Sequence, residues 1–393
     1  MTQSVVFLSG VRTAIGDFGG GLRDVEATKL ASTVVAESVK RAGVSADLVD
    51  HCVIGNVIHS EPRDMYISRV ACIDGGLPQS CPALTLNRLC GSGMQAIVSA
   101  SQMIMLGDAT MAVAGGAENM SRSGYTLQTN RWGAKMGDSK MIDMMVGALS
   151  DPFGAGHMGI TAENVANRYG VSREEQDAFA AESHRRAIAA QAAGHFDSQI
   201  VDVEVKQRKK VVIVNKDEHP RGDVTAESLS GLRAAFDREG SVTAGNASSL
   251  NDGAAAVVVA SEEAASKAGA TPIARLVGYG FSGVQPDEMG IGPVTAVQQA
   301  LAKTGMKLDD MDVVESNEAF AAQACAVGNK LGFDAAKTNP NGGAVALGHP
   351  IGATGAIITV KLIYELQRTG GRYGLATMCI GGGQGIAMII ERL

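Results

Sequence analysis

Aromatic residues are scarce in this chain: Phe, Trp and Tyr together make up 4% of it, with a single tryptophan, Trp132. Glycine, by contrast, is plentiful at 49 residues. That balance disfavours an aromatic-rich binding surface or a solenoid and favours tight strand–helix turns with close backbone packing. Charge is sparse as well, at 19% Asp, Glu, Lys and Arg, too little for a disordered chain. Nor is there a basic excess. The 34 Lys and Arg against 41 Asp and Glu leave a formal net charge of −7, so no nucleic-acid footprint is expected. The one basic cluster, Lys206, Arg208, Lys209 and Lys210, reads as a solvated face or as a landing site for the phosphates of an anionic cofactor.

Long apolar runs are missing too. None approaches the ~20 residues that a membrane-spanning helix needs, so no membrane is expected as a partner. The start, MTQSVVFLSG, lacks the charged segment and long apolar core of a secretory leader, and a cytoplasmic location is the expectation. Six cysteines stand at 52, 72, 81, 90, 325 and 379, with no CxxC pair and no Cys/His metal spacing. No metal is therefore expected, and in a reducing compartment all six should be free thiols. A cysteine in isolation is usually a small buried hydrophobe, so chemistry at any one of them needs a further reason.

What is present is core-forming material. Hydrophobic residues make up 45% of 393, and a chain this long is expected to divide into two or more packed units. Apolar runs alternate with helical periodicity in the first third. Ser4–Leu8 reads as a strand, Ala27–Ala42 as a helix, His51–Gly55 as a strand and Asp64–Asp74 as a helix. Gly91–Leu106 then reads as a helix and Ala109–Ala114 as a buried strand, which predicts βαβ units on a largely parallel sheet. Residues 121–240 break the pattern and read as an inserted loop domain. Gly253–Ala260 returns to strand, and from Thr271 the alternation restarts: strands at Ile273–Val277 and Asp312–Ser316, helices at Val294–Thr304 and Glu318–Leu331, and two closing strands near Tyr373–Cys379 and Gly385–Ile390. Near the end of each stretch a Gly-containing turn opens a long helix, followed by a strand that ends in a glycine cluster. The expectation is an α/β pair of pseudo-symmetric halves: 1–120 with 241–270, and 271–393, separated by 121–240.

Four segments carry chemistry. In Asn87-Arg-Leu-Cys90-Gly-Ser-Gly93 a thiol stands just before a helix, where free N–H groups and the positive dipole end favour thiolate. The same glycines loosely match a dinucleotide-binding pattern, but they follow Cys90 rather than a strand–turn. In Gly348-His349-Pro350-Ile-Gly-Ala a histidine lies on a stiff turn, with Pro350 near a first helical position, free to act as base or donor. Met378-Cys379-Ile-Gly381-Gly-Gly sets a second cysteine at a strand end before N–H groups suited to an oxyanion hole. Glu315-Ser-Asn317-Glu318-Ala319-Phe320 turns from strand to helix, with Asn317 either a plain N-cap or a group that fixes a water.

NxxCGSG, NEAFAAQ, GGAVALGHPIGATGA and CIGGGQGIA, in this order, resemble the thiolase family, and the resemblance covers essentially the whole chain. It implies a five-layered αβαβα fold, a homotetramer built from dimers, and no permanently bound cofactor, with coenzyme A and acyl-CoA as substrates. It implies that Cys90 is the nucleophile that carries the acyl group and His349 its base. Asn317 would hold a water that shares one oxyanion hole with His349, and Cys379 would be the acid and base for the α-proton. The N–H groups of Cys90 and Gly381 would form the second hole. By the same resemblance Ser248 contacts pantetheine, and His157, Met158, Ala319 and Phe320 shape the acyl pocket. Arg221 would touch the CoA nucleotide.

Within the family the chain is most similar to bacterial biosynthetic-type β-ketothiolases, with two departures. Ser249 follows Ser248 where many relatives have Gly, and Glu61-Pro-Arg-Asp-Met65-Tyr66 resembles broader-specificity ketothiolases, which predicts ketoacyl chains beyond four carbons. Two rivals share the fold. A decarboxylating ketoacyl synthase pairs its Cys with two His, or with His and Asn, and depends on a malonyl donor. A non-catalytic acyl-CoA or lipid carrier would tolerate loss of Cys90, His349 or Cys379, yet all three are present.

Overall fold

The structure, a computed structural model, describes residues 3–207 and 210–393. Its frame is one continuous mixed sheet. From the first half come β1 (Val5–Arg12), β2 (His51–Gly55), β3 (Ala83–Leu86), β4 (Met111–Asn119) and β5 (Asn251–Ser261). The second half supplies β6 (Ala274–Gly283), β7 (Val313–Ser316), β8 (Tyr373–Ile380) and β9 (Gln384–Arg392). The order is β7-β8-β9-β6-β1-β5-β4-β2-β3. Read outward from the β1–β6 seam, both halves run first strand, last strand, then the middle ones. That shared order is the pseudo-symmetry. The seam itself is narrow, with Val6 opposite Arg275 and Phe7 opposite Ala274.

The largely parallel sheet expected from the sequence is corrected here. Only β2–β3, β2–β4 and β7–β8 are parallel, while every pair nearer the seam is antiparallel. For β8–β9 the reason is connection length: three residues, Gly381–Gly383, join the two strands, far fewer than a parallel crossover requires. Strand β3, with the unpatterned sequence ALTL, escaped the sequence reading; it lies at the sheet's end and is only partly buried.

Two helices fill the layer between the halves, α3 (Ser92–Leu106) and α8 (Thr354–Thr369). Outside them lie α1 (Ala27–Ala42) and α2 (Ile67–Asp74) over the first half and α6 (Gly292–Thr304) over the second, which completes five layers. The central core gathers Ile97, Ile104, Ile357, Val360, Leu362 and Ile363 with strand residues such as Phe7 and Val257. Burying side chains of this size stabilises by about 1.5–3 kcal/mol each. The stretch Leu89–Leu106 qualifies as a possible span by length and composition, with mean hydropathy 1.2 over 18 residues, which corrects the expectation that no run comes close. It is the middle-layer helix, and its apolar surface is taken up by both halves.

Three helix starts differ from the sequence reading. Pro62–Tyr66 is a separate 3-10 turn before α2. The helix after Asn317, α7 (Ala321–Leu331), begins later than Glu318 because Phe320 is its extended cap residue. Pro350 lies a turn upstream of α8 rather than in its first position, its carbonyl accepting from the N–H groups of Ala353 and Thr354. Residues 121–240 hold α4 (Met158–Tyr169), α5 (Arg173–Ala192) and short antiparallel strand pairs. Lys206 and Lys210 are exposed on one such pair; Arg208 and Lys209 of the basic cluster lie outside the described residues.

The two central helices touch backbone to backbone. A Cβ on Gly355 would stand 2.4 Å from the Met94 nitrogen, and one on Gly93 2.7 Å from the Ala356 nitrogen. Gly355→Ala should therefore push α8 off α3, at a cost of about 1–3 kcal/mol of overpacking strain. Urea unfolding of purified protein should show a lower midpoint; an unchanged midpoint would mean that the layer gives way at no cost.

Candidate active site

Cys90 sits where β3 turns into α3. The turn is forced: Leu89 has φ +44°, a left-handed conformation that costs a leucine about 1–3 kcal/mol. Side chains hold it there. Asn87 Oδ1 accepts the Leu89 N–H at 2.8 Å, while Ser92 Oγ accepts the Arg88 N–H at 2.9 Å and donates to the Leu89 carbonyl at 2.7 Å. Gly91 follows because a Cβ would strike Ile380 Cδ1 at 2.5 Å. Gly93 of the dinucleotide-like match is used for helix packing, which removes that reading.

From the second half come His349, ahead of α8, and Cys379, in the last turn of β8. Asn251 Oδ1 accepts the His349 backbone N–H at 2.8 Å. The Thr354 hydroxyl stands 2.7 Å from His349 Nδ1 and 3.0 Å from the Pro350 carbonyl. A hydroxyl has one hydrogen. Both contacts are hydrogen bonds together only if that hydrogen goes to Pro350 and Nδ1–H donates to Thr354. Nε2 then carries a lone pair, and it is buried without a partner. Burial also pulls the imidazole down to about 4, so it is neutral near pH 7.

The two thiols are neighbours. Burial raises Cys90, against the Gly381 N–H and its own N–H, which favour thiolate; the proximity of Glu118 adds to the rise. The depressed thiol expected from the helix start is thus corrected: at this depth desolvation outweighs the amide dipoles. Cys379 is pushed up further, by burial and then by Cys90 beside it. Asn317, at the end of β7, donates its N–H to the Thr377 carbonyl at 2.9 Å, and both its side-chain polar atoms are buried without partners. It is no N-cap.

A cavity of about 450 Å³ collects most of the sequence-predicted set: Cys90, His349, Cys379, Gly381, Ser248, His157, Met158, Ala319 and Phe320. His157 stacks on Phe236 at 4.8 Å, and Phe236 meets Phe320 edge-on at 6.2 Å. The Ser248 N–H donates to the Ala319 carbonyl at 3.0 Å, which ties the loop before β5 to the Asn317 turn. Neither Asn317 nor Arg221 lines it; Arg221 is exposed, its backbone N–H on His184. Glu61–Tyr66 does not line the cavity either, and Met65 and Tyr66 point outward, 63% and 67% exposed. Ser249 does line it, its hydroxyl 2.8 Å from Asn251.

Sequence reasoning missed the supports. Asn251 and Thr354 fix His349, Phe236 forms a wall, and Glu118 braces the loops. Glu118 Oε1 accepts from the Asn56 amide and the Ile58 N–H, and Oε2 from the N–H groups of Val57 and Gly352. Burial pushes this carboxyl up to about 8 against those donors. The available signal was a lone carboxylate ending an otherwise apolar strand, MAVAGGAEN.

Paired thiols, a neutral imidazole and paired N–H groups in an apolar cavity define an acyl-transfer site. Residues 5–263 match the family model for the thiolase N-terminal domain, and residues 270–392 that for the thiolase C-terminal domain. The chain belongs to the thiolase family of acyl-CoA C-acyltransferases. It is 59% identical to the beta-ketothiolase BktB of Cupriavidus necator over 100% of both chains. Its backbone superposes on the Bacillus anthracis acetyl-CoA acetyltransferase with a TM-score of 0.98 at 48% identity, covering 100% and 99% of the two chains. The human mitochondrial 3-ketoacyl-CoA thiolase in complex with CoA gives 0.97 at 45%, covering 100% and 98%.

His349 has a thermodynamic signature. An unfolded imidazole titrates near 6.5, the buried one near 4. The unfolded state therefore takes up its proton first as the pH falls, and stability is lost between those values, by roughly 3 kcal/mol in total. Urea unfolding from pH 7 to 4 should show a shallower decline for His349→Gln than for the natural protein. Parallel curves would refute the assigned shift.

Proposed function

We propose that the chain catalyses reversible Claisen condensation of two acyl-CoA molecules, and thiolysis of 3-ketoacyl-CoA, through an acyl-cysteine at Cys90. The observation that carries this reading is the convergence of Cys90, His349, Cys379 and the Gly381 N–H on one apolar cavity. Cys90 rests as a thiol, so it needs a base, and His349 Nε2 offers a lone pair. As sulfur attacks the thioester carbonyl, its proton passes to His349 and then to the departing CoA thiolate. The oxyanion of that step takes hydrogen bonds from the N–H groups of Cys90 and Gly381.

Acylation also prepares the second step. The proximity of Cys90 is one of the two causes that raise Cys379, and acylation removes the Cys90 ionisation that would compete with that of Cys379. Once its own proton has passed to His349, Cys379 takes the α-proton of acetyl-CoA as thiolate. The carbanion attacks the acyl carbonyl while Cys90 leaves and regains a proton from His349. In thiolysis Cys379 returns that proton to the departing acetyl unit. His349 and a water on Asn317, whose two polar atoms are unclaimed, hold the enolate oxygen. Ser248 lies along the pantetheine, with the His157–Phe236–Phe320 stack and Met158 against the acyl chain. The apolar lining, rather than Glu61–Tyr66, supports substrates longer than four carbons. We further read the protein as a cytoplasmic homotetramer. The exposed Trp132, Met136 and Met141 of the inserted region offer an apolar surface for assembly.

Purified protein with CoA and 3-ketoacyl-CoA esters of increasing length should consume esters beyond acetoacetyl-CoA. Cys90→Ala should abolish turnover. Consumption of acetoacetyl-CoA alone would end the chain-length reading, and consumption of none would end the thiolase mechanism. Cys379→Ala should still form acyl-Cys90, visible by intact-mass spectrometry, while turnover falls by about 10²–10⁴. Loss of acyl-enzyme in that variant would reassign Cys379 to the first step.

A further inference from the structure

Three of the six cysteines lie together, away from the active site. Cys52 on β2, Cys72 near the end of α2 and Cys81 in the loop before β3 are all buried in the outer core of the first half. From α2, Cys72 faces the loop that carries Cys81. Its Sγ stands 3.7 Å from the Cys81 carbonyl, and Cys81 Sγ 3.6 Å from the Pro82 carbonyl. Arg69 closes the cluster from the solvent side. Its Nη1 donates to the Cys81 carbonyl at 2.5 Å and stands 4.0 Å from Cys72 Sγ, while Nη2 holds the Gln79 carbonyl at 2.8 Å in an exposed position. The covering residues Gln79, Ser80 and Pro82 are exposed.

Packing alone does not ask for this arrangement, since three small apolar side chains would fill the same space without a cation beside one of them. A guanidinium next to one sulfur, with a second cysteine alongside, supplies two of the things that a thiol reacting with peroxide requires, a stabilised thiolate and a resolving partner. Since all three thiols are buried, peroxide must enter through the exposed Gln79, Ser80 and Pro82. Hydrogen bonds from the other two thiols, then the Arg69 charge, pull the Cys72 thiol well below its ordinary value, while Cys52 and Cys81 are raised. No group of three or more His, Cys, Asp or Glu among the described residues has the arrangement of a metal site, this trio included.

We propose that Cys72 and Cys81 form a peroxide-reactive dithiol, with Cys72 as the attacking and Cys81 as the resolving sulfur. The Cys72 thiolate attacks one oxygen of hydrogen peroxide, breaks the O–O bond and becomes a sulfenic acid as hydroxide leaves. Cys81 sulfur then attacks the Cys72 sulfur, and its proton leaves with the sulfenic oxygen as water. Two thiols lose two electrons in all, and one peroxide becomes two waters. Cys81 is preferred over Cys52 because it lies in a loop, which can supply the closing movement that a strand residue cannot.

The test needs no activity, so it stands or falls independently of the acyl-transfer mechanism. The intact enzyme is treated with increasing hydrogen peroxide, alkylated with iodoacetamide and digested with trypsin without reduction. Cys72 and Cys81 share the peptide Val70–Arg88, and Cys52 falls in Ala42–Arg63. The expected product is Val70–Arg88 lighter by two hydrogens, both cysteines regaining alkylation after dithiothreitol. In Cys81→Ser, a dimedone adduct should accumulate on Cys72. Arg69→Gln should slow loss of alkylation by about tenfold, the factor for one unit of thiol pKa. A cross-link joining the two peptides through Cys52 would overturn the choice of resolving sulfur. Val70–Arg88 alkylated at both positions, at doses that already oxidise Cys90, would overturn the proposal.

Discussion

The arrangement hangs on a carboxylate that no substrate touches. Glu118 ends β4 with no exposed surface and gathers four N–H groups: three from the Asn56–Ile58 loop and one from Gly352 in the loop after His349. One side chain thus fastens the first half to the loop of the second half that carries His349. A buried carboxyl is expensive to ionise, and its four donors offset that cost only in part. The backbones are close enough for this to work. A Cβ on Gly352 would stand 3.1 Å from the Asn56 Cα, so the two loops are in contact before any side chain intervenes.

From that brace follows the electrostatic character of the site. Nothing charged at neutral pH lines the cavity: its imidazoles are lowered and its thiols raised, both chiefly by burial. Reactivity in such a place comes from relative proton affinities rather than from a standing thiolate. His349 Nε2 is buried without a partner in the same cavity as the two thiols, where moving one proton would create a pair of charges. The Gly381 and Cys90 N–H groups are already turned toward where those charges appear.

Much of this was legible in the sequence. The helix over Ala27–Ala42 and the strand over His51–Gly55 match their predicted bounds, because amphipathic spacing and a short apolar run declare themselves locally. Cys90, His349 and Cys379 were legible as candidates because each sits at a strand or helix end marked by glycine, and the structure brings them to one cavity. Strand direction was not, since pairing depends on how far the chain must travel between partners. The members of the supporting shell were hidden for a related reason. Asn251 and Thr354 act across long separations or through one hydroxyl hydrogen, and neither leaves a local pattern. Arg221 rests on family likeness alone: it lies at the surface, outside the cavity, with its backbone N–H on His184.

The strand order has a bearing on how the chain comes off the ribosome. β1 is made first, but both its neighbours come much later: β5 after the inserted region, and β6 after that. Helix α3 must wait longer still, for α8, which lies within the last 40 residues. Until then a nascent chain carries its most apolar helix with one face uncovered. Such a chain is exposed to misassociation for most of its synthesis, and the burden on holding chaperones is set by topology rather than by final stability.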